Sequence, residues 1–68
     1  MIVVMELQTT GGVTALLTDT FDNRNAAENK YHTILSAAAV SNVEEHAAVM
    51  MDHKGFVIKN DIYYHPAT

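Results

Sequence analysis

The sequence predicts an α+β fold in the order ββαββ, a four-stranded antiparallel sheet with one helix packed on one face. Segments in which apolar side chains recur at every second residue lie on both sides of a segment with helical spacing. Glycine-containing turns divide each flanking segment into two strands. With 68 residues, the chain is expected to form a single small domain spanning 1–68.

The first predicted hairpin has strands 2–8 and 13–21, joined through the paired glycines Gly11 and Gly12. Alternation divides the first strand into two faces, Val3, Met5, Leu7 and Val4, Glu6, Gln8. The return strand is expected to carry Val13, Ala15, Leu17 and Phe21 on one face and Thr14, Thr18 and Thr20 on the other.

The helix is predicted to begin at Ala26 and to end near Ala39 or Val40. Its apolar stripe consists of Ala27, Tyr31, Ile34, Leu35 and Ala38. Asn25 has capping-box spacing to Glu28, and Asp22 is a rival cap that would start the helix one turn earlier.

The second hairpin is predicted from strand 47–53, a turn that contains Gly55, and strand 56–65. The inward set of the last strand is predicted to be Phe56, Ile58, Ile62 and Tyr64, interrupted by Asn60. The opposite face is predicted to carry Lys59, Asp61, Tyr63 and His65. Pro66 should end the strand because it has no backbone N–H to donate.

Self-association is the expected reinforcement of so short a chain. It has no cysteine, its composition is 49% hydrophobic, and its first and third strands are apolar on both faces. We expect the second sheet face or a strand edge to be buried against another copy, with the interface residues Val4, Ala37, Ala48 and Met50. The alternative to self-association is a modest apolar patch that stays exposed to solvent. A competing geometry for self-association is helix pairing through the alanines at 37–39.

The last strand carries the richest polar chemistry of the chain. A cation, a carboxylate, a phenol and an imidazole can hold a phosphate, a ribose or a base, although an exposed outer strand has the same composition. Tyr31 is expected in the core, and His32 either pairs with Glu28 on the helix surface or lines a cleft. The candidate ligand-binding residues are Tyr31, His32, Lys59, Asp61, Tyr63 and His65.

Several function classes are disfavoured by charge and motifs. The formal net charge is -4 and the four basic residues are scattered, which disfavours binding to a nucleic-acid backbone. The histidines lack metal-ligand spacing, and no nucleophile motif or phosphate loop is present, so no metal, cofactor or catalytic residue is expected. A signal peptide and an apolar run of about 20 residues are both missing, which predicts a cytoplasmic protein without membrane association.

The run "AENKYHTILSAAAVSNVEEHAAVMMDHKG" resembles a group of short proteins encoded by phages and prophages of Gram-positive gut bacteria. The matching residues are Lys30, Tyr31, His32, Leu35, Ala39, Ser41, Val43, His46 and Gly55. The resemblance implies one of two roles in the host cytoplasm. One is a small oligomer that sequesters a nucleotide-like signal at a subunit interface, and the other is an interaction protein that inhibits a host factor or serves in phage assembly.

Overall fold

The computed structural model describes residues 1–66, which contain four strands and one helix. The elements are β1 (Ile2–Thr10), β2 (Val13–Phe21), α1 (Arg24–Val40), β3 (Glu45–Asp52) and β4 (Val57–Tyr64). The strands form one sheet in the order β2-β1-β3-β4, and every neighbouring pair is antiparallel. The predicted ββαββ fold, with its four-stranded antiparallel sheet and its helix, is therefore confirmed.

The β1–β2 hairpin is regular along its whole length. Gly11 and Gly12 have φ angles of 58° and 80°, the positive values that a two-residue type I′ turn requires. The turn places Thr10 opposite Val13, and the register continues without a shift to the Ile2–Phe21 pair. This hairpin therefore ends in a straight, unbroken outer strand.

The helix begins earlier than predicted, because its N-cap is Asn23. The Asn23 side-chain oxygen accepts hydrogen bonds from the backbone N–H groups of Asn25 (2.7 Å) and Ala26 (3.2 Å). The predicted caps Asn25 and Asp22 are wrong, since Asn23 is the residue with extended backbone from which a side-chain oxygen reaches these donors. The helix ends at Val40 as expected, where the N–H of Ser41 donates to the carbonyl of Ala38.

The core lies between α1 and the two central strands. Its buried residues are Val4, Ala27, Tyr31, Ile34, Ala38, Ala48 and Met50, all at most 4% exposed. Three of the seven are alanines, whose small side chains let the helix approach the sheet closely. Burying a side chain such as that of Val or Met stabilises the fold by about 1.5–3 kcal/mol.

The prediction that Val4, Ala48 and Met50 form an interface between copies is wrong. They lie beneath α1 inside one chain and are at most 1% exposed. Alternation alone could not decide which face the helix covers, because β1 and β3 carry apolar residues on both faces. The fourth predicted interface residue, Ala37, lies exposed on the helix.

The face assignment of β4 is also reversed. Lys59, Asp61 and Tyr63 pair with Met50, Ala48 and His46, and so lie on the side of the sheet that α1 covers. Ile62 and Tyr64, predicted to point inward, lie on the opposite side and are 37% and 65% exposed. The alternation from Lys59 to Tyr64 is as predicted, and the assignment is reversed because α1 covers the other face. The register shifts only between Met50 and Met51, which leaves Ile58 as an extra residue in a bulge. Phe56, also predicted inward, precedes β4 and is exposed.

The side of the sheet away from α1, called the open face below, is largely apolar. It carries Val3, Met5, Leu7, Leu16, Ala47, Val49, Met51, Ile62 and Tyr64. The first and third strands contribute half-buried residues to it, whereas Leu16, Ile62 and Tyr64 are exposed. Nothing in the described part of the chain packs across this face, because α1 occupies the other side. Within residues 1–66, no helix is long and apolar enough to cross a membrane.

Candidate functional site

The six predicted ligand residues all lie along one groove, the α1–β4 groove, between the helix and the outer strand β4. Lys59 is central to it, with its ammonium 5.4 Å from the centroid of the Tyr31 ring. The His32 ring meets the Tyr31 ring edge-on, with centroids 5.5 Å apart and an interplanar angle of 79°. Tyr31 and His32 on α1 and Lys59 on β4, which are distant in sequence, thus lie close together.

Glu28 is the electrostatic centre of the groove, and the sequence indicated it only as a partner of His32 and of the predicted cap Asn25. Its carboxylate accepts hydrogen bonds from Lys59 Nζ (2.6 Å) and Arg24 Nε (3.1 Å), and His32 Nε2 lies 3.3 Å away. The Lys59 bond is the main reason that the pKa of Glu28 lies below its ordinary value, and the Arg24 bond adds to the effect against partial desolvation. The spacing 24, 28, 32 was the available signal, since it places all three side chains on one helix face.

Tyr31 is a core residue, as predicted. Its side chain is 3% exposed, and burial is the main reason that its phenol pKa is raised, with added effects of Asp61 and Glu28. The phenol therefore stays neutral at physiological pH. A ligand in the groove could contact the rim of Tyr31 but could not stack on its face.

His65 has a structural role at the C-terminal end of the groove. Its Nε2 lies 2.7 Å from the carbonyl oxygen of Ala38, and its backbone N–H donates to the carbonyl of Glu44 at 2.7 Å. The first contact attaches the residue after β4 to the last turn of α1, and the second attaches it to the link between α1 and β3. Asp61 accepts a hydrogen bond from the backbone N–H of Ile62, and Tyr63 is 38% exposed. The exposed polar chemistry of the groove is therefore that of His32, Asp61 and Tyr63.

A second polar cluster, which sequence reasoning missed, lies on the covered face of β1 and β3. His46 is 4% exposed, with its Nε2 2.5 Å from Glu6 Oε2 and its Nδ1 3.0 Å from Ser41 Oγ. Gln8 donates a further bond to Glu6 at 2.9 Å. The available signal was the presence of two polar residues, Glu6 and His46, on the same face of neighbouring strands.

This serine–histidine–carboxylate set has the composition of a hydrolytic triad but not its accessibility. The Ser41 hydroxyl donates to the Ala38 carbonyl at 3.2 Å, and the buried His46 ring leaves no space beside it for a substrate. Burial raises the pKa of Glu6, but the hydrogen bonds from His46 and Gln8 outweigh it and bring the pKa below its ordinary value. The cluster connects β1, β3 and the end of α1.

The clearest depression on the described surface is not in the groove. It has a volume of about 250 Å³ and lies mainly on the open face, lined by Leu7, Ala47, Ala48, Val49, Asn60, Asp61 and Ile62. Only Asp61 belongs to the predicted ligand residues. In one copy, the α1–β4 groove is thus an open surface rather than an enclosed pocket. Within residues 1–66, no three histidine, aspartate or glutamate side chains come together as metal ligands.

The geometry above is what supports an assignment of function, because the chain matches no protein-family model, no curated protein and no solved structure.

Proposed function

We propose that the chain is a non-enzymatic, self-associating binding protein of the phage accessory type that the sequence resembles. Copies pack through the open face, and a small nucleotide-like ligand binds at the β4 edge of the sheet, where the α1–β4 groove adjoins the face covered by a neighbouring copy. The observation that carries the proposal is the open face, an apolar surface that the chain's own helix leaves uncovered.

The size of the open face is at the lower limit for a specific contact between two copies. Four strands about 4.8 Å apart and about 26 Å long present roughly 500 Å² per copy, or about 1,000 Å² in total. This total reaches the lower limit of specific protein interfaces. A second copy is the fitting occupant, since two sheets with apolar faces pack about 10 Å apart with interdigitated side chains. Of the charged residues, the register places only Glu45, at one end of β3, on this face.

The ligand half of the proposal is supported by the exposed chemistry of the groove. His32, Asp61 and Tyr63 offer an imidazole, a carboxylate and a phenol to a ligand, while Lys59 lies beside them. Such groups match the base and ribose of a nucleotide by stacking and hydrogen bonds. Binding sites cover most of a small ligand's surface, so the open groove requires a neighbouring copy that extends past the β4 edge from the open face.

Solution mass tests the self-association. Size-exclusion chromatography with light scattering should show at least a dimer at micromolar concentration. Val49→Lys should reduce the mass below that of the wild type, because Val49 lies on the open face opposite Met5. Ser36→Lys, on the exposed side of α1, is the matched control and should keep the wild-type mass. A monomeric wild-type protein contradicts self-association and favours the second role, in which the open face binds a different protein.

Thermal-shift titration with cyclic dinucleotides and ADP-ribose tests the ligand half. A bound ligand at about 100 times its Kd stabilises the folded state by about 2.7 kcal/mol. Tyr63→Phe should reduce the shift because it removes the exposed hydroxyl, whereas Tyr64→Phe, on the open face, should not. An unchanged melting temperature with every one of these compounds would contradict nucleotide binding.

A further inference from the structure

The outer strand β2 is exposed on both faces and along its free edge. Val13, Leu16 and Leu17 are 72%, 60% and 59% exposed, although neighbouring Leu16 and Leu17 point to opposite faces. The strand runs for nine residues without a lysine, a proline or a register shift. These are the devices by which edge strands usually avoid pairing with another chain.

The other outer strand, β4, has several of these protections. It contains the bulge at Ile58, the charged residues Lys59 and Asp61, and a proline soon after its end. Lys59 also reaches over to α1 through Glu28. The two edges of the same sheet therefore differ, and only β2 is left as a long, regular template for a further strand.

The hydrogen-bonding groups of β2 alternate in direction. A two-residue turn closes on a hydrogen-bonded pair, here Thr10–Val13, so the odd-numbered residues of β2 bond to β1. The even-numbered residues consequently direct their N–H and C=O groups outward. The contact of the Thr9 and Thr14 hydroxyls at 2.8 Å agrees with this alternation, because side chains approach most closely in non-hydrogen-bonded pairs.

The residues of β2 are self-complementary about Leu17. In an antiparallel pair of β2 strands centred there, all nine residues are paired and the outward-directed groups of one copy meet those of the other. The pairs between copies are Val13–Phe21, Thr14–Thr20, Ala15–Asp19, Leu16–Thr18 and Leu17–Leu17. Apolar residues oppose apolar residues and threonine opposes threonine at both ends, pairs that stabilise antiparallel sheets.

We infer that β2 is the surface through which a second copy of this chain pairs, edge to edge and antiparallel, on a twofold axis at Leu17. The inference rests on the self-association proposed above and assigns one of its contacts. It joins two four-stranded sheets into one of eight strands with about eight additional backbone hydrogen bonds. Both helices then lie on one side of the sheet, and the two open faces combine on the other.

Charge and space are compatible with this pairing. Asp19 is the one charged residue of β2, it opposes Ala15 of the second copy, and it already lies 3.6 Å from Lys30 of its own chain. No like charges face each other across the axis. The helix does not obstruct the edge, because Ala15 and Leu17, on the side of the sheet that carries α1, remain exposed.

Disulfide cross-linking tests the inference, because the natural chain has no cysteine. In a non-hydrogen-bonded pair the two Leu17 Cα atoms would lie about 4.5 Å apart, within the range that a disulfide spans. Leu17→Cys should therefore form a covalent dimer about tenfold faster than Val13→Cys under mild oxidation. Val13 is the matched control: it lies on the same face of the same strand and is more exposed, but its two copies would be about 26 Å apart.

The double variant Ala15→Cys/Asp19→Cys tests the register, since these positions oppose each other only when Leu17 lies on the axis. It should cross-link readily, and Ala15→Cys alone should not. Equal rates for Leu17→Cys and Val13→Cys in a protein that is oligomeric by light scattering overturn the edge pairing and leave the self-association standing. A monomeric wild-type protein overturns both. Circular dichroism of each variant before oxidation confirms that it has folded.

Discussion

The two faces of the sheet are built from the same strands, yet one is dry and the other is open. Met50 and Met51 illustrate the difference, because they are consecutive residues of β3 with identical side chains. Met50 is fully buried under α1, while Met51 lies half-buried on the open face. Hydrophobicity at a position therefore does not decide its burial in this protein. The location of the single covering element decides it.

Simple amphipathicity predicts that the face covered by the helix has fewer charged residues than the exposed face, and here the reverse holds. The covered face contains Glu6, His46 and Lys59, each satisfied by a partner from a neighbouring element. The open face has one charged residue, Glu45, and its other polar side chains are uncharged threonines and Asn60. A face with polar residues can be covered if its hydrogen bonds are completed within the chain, whereas an apolar face without a cover requires another molecule.

Truncation of Met50 and of Met51 should give the largest difference in stability between the two faces. Met50→Ala should lower the free energy of unfolding by about 2–5 kcal/mol, because it leaves a cavity in a packed core. Met51→Ala should cost less than about 1 kcal/mol within one chain, and its effect should grow with protein concentration if copies pack through the open face. Urea unfolding at several concentrations measures both. Equal losses at low concentration would contradict the assignment of the faces.

Removal of the His46 imidazole should have the second largest effect on stability, because it leaves the partly buried Glu6 carboxylate without its main hydrogen-bond partner. His46→Ala should destabilise the fold by about 1–3 kcal/mol, and Ser41→Ala by about 1 kcal/mol. The same urea titration provides the comparison. A larger loss for Ser41→Ala than for His46→Ala would contradict the view that the Glu6–His46 pair is the stronger connection.

The stability should also depend on the Glu6 carboxylate in a pH-dependent manner. The pKa of Glu6 in the folded chain lies below the ordinary value of 4.5, so its ionised form stabilises the fold above that pH and the stabilisation is lost as the pH falls through the lower, folded-state pKa. Glu6→Gln should therefore be less stable than the wild type at pH 7. The difference between them should shrink below about pH 4.5. A difference that widens in acid would reverse the sign of this contribution.

The smallest expected effect is that of His32→Ala. His32 is exposed, and its contact with Glu28 is a solvent-screened pair one helical turn apart. The urea midpoint should stay at the wild-type value within error, while any nucleotide-induced thermal shift should decrease. A clear loss of stability with no change in ligand response would assign His32 to the fold rather than to the groove.

Local patterns predicted the elements well because each one depends on neighbouring residues. The Gly11–Gly12 turn, the helical stripe with Tyr31 and the end of the helix near Val40 are all short-range features, and the structure confirms them. The helix start was wrong by a few residues, since Asp22, Asn23 and Asn25 are all competent caps. Which of them caps the helix depends on the backbone path from β2.

The sequence predicted which candidate residues share a face of β4, but not how that face lies against α1. Alternation correctly grouped Lys59, Asp61, Tyr63 and His65 on one face, and the structure places that face beside Tyr31 and His32. The roles of Glu28 as a shared acceptor and of His65 as an anchor to Ala38 depend on how α1 crosses the sheet. No local pattern in the sequence predicts how far α1 lies from β4.

By itself, the sequence determined the number, type and order of the elements and the two sets of side chains that alternate along each strand. The spacing of apolar residues and the residues of a turn are local features, so short stretches of the sequence are enough to predict them. Only the tertiary structure decided which set becomes the core, because β1 and β3 are apolar on both sides and one helix can cover only one of them. It placed α1 over Val4, Ala48 and Met50, where hydrogen bonds within the chain satisfy Glu6 and His46, and left the more uniformly apolar face open.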